Sequence, residues 1–141
     1  MKTNAAVIVL SLLATLSMAQ TPTEKKKVES AIYLFAKSGD LQDSKSLEAL
    51  LDANFRLAMN QLFGSKEVVI MTREMYLDKI NKKEFGGDKR EVKIENLVIV
   101  GKNASAKVQF KGSKMTIISL IQLVQNATGE WKLVNDIPAV I

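Results

Sequence analysis

The chain has no cysteine and no histidine among its 141 residues. A Ser-His or Cys-His nucleophile is therefore impossible, and so are the common zinc sites. Calcium needs several oxygen ligands at alternating positions around a turn, and "DKREVKIE" supplies too few and no turn-forming glycine. No metal and no cofactor is expected. What survives is carboxylate and phenol chemistry, for which the two tyrosines, Tyr33 and Tyr76, are the only phenols.

The elements that must position such groups follow from periodicity. Residues 1–19 are set aside first. Lys2 with the α-amino group, the apolar run Ala5 to Leu16, and the small residues Ser17 and Ala19 form a secretory signal peptide with its cut before Gln20. The apolar run falls short of the roughly 20 residues a membrane helix needs, so no stable membrane insertion is expected after cleavage. The protein is expected to be exported, periplasmic or secreted, as one domain over residues 20–141. With Lys2 removed the formal charge falls from +5 to +4. Lysines in the strands lack the interleaved aromatics of a stacking platform, so nucleic acid is not an expected partner.

Val28, Ala31, Ile32, Phe35 and Ala36 recur at helical spacing, with Thr23 as N-cap and Gly39 as the stop. Asp43 or Ser44 caps a second helix in "SKSLEALLDAN", ending before Phe55. "FRLAMNQL" alternates as a half-buried strand, "VVIM" is a short apolar run, and Thr72 caps a third helix through Asn81. Four strand-like runs follow: "EVKIENLVIV", "ASAKVQF", "KMTIISLIQLVQ" and "WKLVND". Helices first and an antiparallel meander afterwards define an α+β domain. In the first run Val92 and Ile94 are out of phase with Leu97 and Ile99, which predicts a bulge near Glu95-Asn96 and a curved sheet. In the third, Met115, Ile117, Ile121 and Leu123 line one face while Ile118, Leu120 and Val124 line the other. A strand apolar on both faces is covered on both, and a homodimer through the outer sheet face is expected.

By inward parity and helix face, Tyr33, Phe55, Met59, Tyr76, Met115 and Trp131 are candidates for a pocket that takes a small apolar or aromatic ligand; the same six residues also suit a filled core.

"VESAIYLFAKSGD", "ALLDANFRL", "MTREMYLDKI" and "SLIQLVQNATGEWKLVND", in that order, resemble the nuclear transport factor 2-like superfamily, a cystatin-like α+β cone. The similarity is greatest to small exported proteins described as putative lumazine-binding or SnoaL-like. It implies N-terminal helices packed in a strongly curved antiparallel sheet, with Trp131 opening the last strand against the sheet or the first helix. Ketosteroid isomerase shares this fold and works with an aspartate base, a tyrosine and a protonated aspartate in an apolar pocket. By that analogy Asp136, Tyr76 and Asp52, with Tyr33 beside them, are the groups that could act. Ala53-Asn54 stands where relatives commonly carry a His-Pro or acidic pair. The expectation is therefore a binding module for a small molecule or a protein; ketosteroid-isomerase-like or SnoaL-like acid-base catalysis is the alternative.

Overall fold

A computed structural model describes residues 23–141; the expected leader lies outside the described residues. Three helices pack on the inner face of a curved, unclosed six-stranded sheet. Helix α1 spans Glu24–Asp40 and α2 spans Ser44–Leu50; strands β1 (Leu51–Asn60) and β2 (Val68–Thr72) lead into α3 (Arg73–Asn81). Strands β3 (Glu91–Val100), β4 (Asn103–Lys111), β5 (Thr116–Gln125) and β6 (Trp131–Val140) complete the chain. The sheet order is β2-β1-β6-β5-β4-β3. Every pairing is antiparallel except that of β1 with β6, which is parallel.

Each helix starts where a short polar side chain takes up a free backbone N–H. The Thr23 hydroxyl accepts from the Lys26 amide, Asp43 from Ser46, and Thr72 from Met75. Of the two caps the sequence left open for α2, Asp43 is the one used. Gly39 does not stop α1, which runs on to Asp40. Its part is played against the strap of residues 82–90 that joins α3 to β3. A Cβ on Gly86, whose φ is +76°, would lie 2.2 Å from the Gly39 carbonyl oxygen. Gly87 donates its N–H to that oxygen at 3.1 Å, and the Gln42 amide donates to the Phe85 carbonyl at 3.0 Å. Farther along, Asp88 accepts from the amide and hydroxyl of Ser113 at 2.7 and 2.8 Å. The strap is thus tied down along its length.

The bulge expected in β3 is present: its register against β4 shifts between Glu95 and Val98, and Asn96 takes the left-handed φ of 51°. Val92, Ile94, Leu97 and Ile99 consequently all pack on the core. A second irregularity stands where the tail of α2 is expected, since α2 ends at Leu50. The segment Asp52-Ala53-Asn54 is an unpaired excursion of β1, whose register to β6 jumps between Leu51 and Arg56; the Asp52 carboxylate holds it by accepting from the Asn54 amide at 2.8 Å. Strand β6 also runs past Asp136 to Val140. Pro138 is tolerated there because β1 last pairs with β6 at Asp136, leaving β6 hydrogen-bonded on one side only.

Between helices and sheet lie Val28, Ile32, Phe35, Leu47, Phe55, Ile80, Val108, Phe110, Ile121, Leu123 and Leu133, all nearly inaccessible to solvent. In β5, Ile121 and Leu123 are buried and Ile117 packs on the core, whereas Leu120 on the opposite face is exposed.

Candidate functional site

One buried carboxylate is set into this core. Trp131 and Leu133 of β6 point inward, so simple alternation would next bring Asn135 to the inner face. Val134 is an extra residue in the pairing with β5, where Gln122 faces Asn135 but Leu123 faces Leu133, and the count therefore resets. Asp136 turns inward instead and is buried, with 6% of its surface accessible. It is flanked in register by Leu57 of β1 and Ile121 of β5. Its Oδ1 has no hydrogen-bond partner. Burial pushes its carboxyl up from the ordinary 3.8 to about 6, against the opposing pull of the Ser119 hydroxyl and of the Arg90 charge.

Tyr76, on α3, belongs to the same cluster. Its ring stacks on Phe35 of α1 with centroids 6.3 Å apart, tilts against Phe55 of β1 at 5.7 Å, and meets Phe85 of the strap at 6.2 Å. Burial raises the phenol well above its ordinary range, and the negative charge of Asp136 adds to the effect. Tyr76 is therefore a protonated donor at every physiological pH. Arg90, at the end of the strap, lies with its guanidinium carbon 4.9 Å from the centre of the Phe110 ring. Its Nε donates to Asp40 Oδ1 at 2.5 Å and its Nη2 to the Ala36 carbonyl at 2.9 Å. The pair fastens the end of the strap to the last turn of α1.

Of the three acid-base candidates, Asp136 and Tyr76 lie near enough for the carboxylate charge to act on the phenol. Asp52 is apart from them, engaged in the β1 excursion. Of the six pocket candidates, Phe55, Met59 and Trp131 are buried and Tyr76 is half-buried. Tyr33 is 50% exposed on the outer side of α1, one position off the apolar stripe. Met115 is 40% exposed because β5 begins only at Thr116, so its inward parity has no strand to act on. Arg90, Phe85, Phe110 and Ser119 were not singled out from sequence. Ser119 did leave a trace: it is the one polar residue between Ile117 and Ile121 at inward positions.

Trp131 closes the opposite region. Its Nε1 donates to Glu24 Oε2 at 2.7 Å, tying β6 to the first residue of α1. Lys27 chiefly, and then this indole bond, hold the Glu24 carboxyl below its ordinary range. Beside the indole runs an open groove of 420 Å³ between α1, the end of α2 and β6, lined by Ala31, Leu34, Leu50 and Trp131 with Lys26 and Lys132 on its rim. A smaller depression of 300 Å³ lies on the outer sheet face among Val98, Val100, Val124 and Val134. Neither is lined by Asp136 or Tyr76. Among the described residues, no three acidic side chains gather as a metal site requires.

This arrangement of helices on a curved sheet is the nuclear transport factor 2-like fold. A nuclear transport factor 2-like protein of unknown function from Silicibacter pomeroyi superposes with a TM-score of 0.72 at 12% identity, over 83% of this chain and 95% of that one. One from Shewanella baltica gives 0.71 at 16%, over 86% and 98%. A ketosteroid isomerase-like protein from Erwinia carotovora atroseptica gives 0.69 at 14%, over 86% and 98%. Residues 23–137 match the family described as putative lumazine-binding, and the chain belongs to that family. No curated protein matches it.

Proposed function

We propose that this chain is a noncatalytic binding module that holds a small aromatic or apolar molecule in the interior of the cone, with Asp136 as its polar anchor. The observation that carries the reading is the unpartnered Oδ1 of a buried carboxylate whose charge reaches Tyr76, the centre of an aromatic cluster. Leaving such an atom unsatisfied costs a folded protein several kcal/mol, and strongly perturbed buried acids concentrate at functional sites. The description of the family, which speaks of lumazine binding, agrees with an aromatic ligand. Tyr76 is half-buried, so the cluster reaches the surface. Native mass spectrometry of protein purified from its own source is expected to show a retained small molecule. Retention of none, together with no rise in melting temperature across a library of small aromatics, would refute the reading.

A catalytic alternative is supported by the pairing of Asp136, raised to about 6, with a phenol that stays protonated. Proton abstraction next to a carbonyl needs a base and two oxyanion donors. Only one carboxylate and one phenol meet here, which favours binding; turnover of an enolisable ketone that Asp136→Asn abolishes would reverse the order.

Export to the periplasm or medium is supported by the leader sequence at 1–19, and N-terminal sequencing of the secreted product is expected to begin at Gln20. Assembly as a homodimer through the outer sheet face is supported by Leu120 (55% exposed), Val98 (52%) and Val100 (69%), an apolar set a lone soluble chain would leave wet.

A further inference from the structure

We propose that the interior site selects an organic nitrogen cation, of the amidinium or protonated amino-heterocycle class, that donates to Oδ1 of Asp136. The inference rests on the binding reading above and adds the chemistry of the ligand. Two observations converge on it. The first is the acceptor: Asp136 Oδ1 is inaccessible and unpartnered, so the group it lacks is a donor. A carboxylate oxygen without a hydrogen bond in an apolar setting is best satisfied by a donor that also carries positive charge.

The second is the wall. The rings of Phe35, Phe55 and Phe85 gather around Tyr76, all within 6.3 Å between centroids. Aromatic faces within reach of a buried carboxylate's charge favour cations, whose charge is attracted by the ring quadrupole. The site already contains an instance, since the planar guanidinium of Arg90 rests over Phe110 with Asp40 as its counterion. That cation spends its Nε on the Asp40 carboxylate and its Nη2 on the Ala36 carbonyl, and its salt bridge is to Asp40, so it acts on Asp136 only through its charge at a distance. An anionic ligand would meet the Asp136 charge with its nearest guanidinium already paired. A neutral hydrocarbon would leave Oδ1 as it is.

The route inward is set by the same residues. Neither concavity is lined by Asp136, so a ligand reaches Oδ1 by turning the half-buried Tyr76 ring.

Three planar probes of nearly equal size test the class: benzamidine, benzamide and benzoate, titrated into the full mature chain at pH 7.5 and followed by heat and by the Tyr76 ring resonances. Benzamidine is expected to bind at least about tenfold more tightly than benzoate, with benzamide between them, as one charge-assisted hydrogen bond implies. Asp136→Asn is expected to abolish that order. Benzoate binding as well as benzamidine would overturn the proposal, as would an unchanged preference in Asp136→Asn. If none of the three binds but naphthalene does, the cation class is wrong and the binding module stands. If no probe binds, naphthalene included, both fall. The wild-type comparison needs no variant, so a folding defect in Asp136→Asn cannot mask the outcome.

Discussion

Replacing Asp136 with asparagine should stabilise the protein at neutral pH and leave it unchanged in acid. In the unfolded chain the carboxyl titrates near 3.8; in the folded one burial moves it to about 6. The folded state therefore binds the proton more tightly, and between these two values its stability falls as pH rises. At about 1.4 kcal/mol per pH unit, ionised Asp136 costs the folded state about 3 kcal/mol at pH 7.5, and nothing below pH 3.8. Asparagine has nearly the same shape and no charge to bury. Other carboxylates pull the opposite way: Glu24, Asp43, Asp88, Glu95 and Glu130 all titrate below their ordinary values, so their contribution to stability grows with pH. These terms are common to both proteins and cancel in the difference. The assay is urea unfolding of wild type and Asp136→Asn followed by Trp131 fluorescence, at pH 7.5 and at pH 4. The gap between them should close by about 2 to 3 kcal/mol on acidification. A gap independent of pH would show that Asp136 is solvated, and the reasoning from its burial would fail.

Trp131→Phe should lower stability by about 1 to 2 kcal/mol, since the indole bond to Glu24 is lost while most of the ring stays, and denaturant melts followed by circular dichroism measure it. Gly86→Ala should destabilise by more than about 2 kcal/mol, because its Cβ collides with the Gly39 carbonyl at a left-handed φ; a melting temperature equal to wild type would mean the strap is loosely held. Leu120→Lys should give a monomer by analytical ultracentrifugation with the far-ultraviolet spectrum unchanged, and a dimer that persists would move the interface off the outer sheet face.

Much of the scaffold is legible in the sequence because its signals are local. Thr23, Asp43 and Thr72 announce helix starts through chemistry confined to three residues, and the phase break at Glu95-Asn96 betrays the β3 bulge through alternation alone. The polar site is less legible because it depends on tertiary register. Whether Asn135 or Asp136 faces inward turns on the single extra residue Val134, and β6 by itself carries no mark of that slip. The excursion at Asp52-Ala53-Asn54 follows "SKSLEALL" without a break in polarity, so it reads as more helix. Arg90 escaped notice for a different reason: an arginine between a glycine-rich turn and a strand looks like surface until the strap folds it onto Phe110.

The parallel joint between β1 and β6 fixes when this protein can fold. Leu51 waits for Leu133, the Ala49 carbonyl for the Lys132 ammonium 83 residues later, and Glu24 for an indole 107 residues away. Until Trp131–Val140 is available the sheet exists only as two unconnected pieces, the β1-β2 hairpin and the β3-β4-β5 meander, each with an unpaired edge where β6 belongs. Pairings of such long range form slowly, since loop closure precedes any gain from contact. The two pieces of the sheet therefore join only after the residues of β6 have been made. The same dependence makes β6 a natural point of division: a fragment ending before Trp131 should be receptive to a separate peptide of residues 129–141, which would supply the seam and the buried acid together.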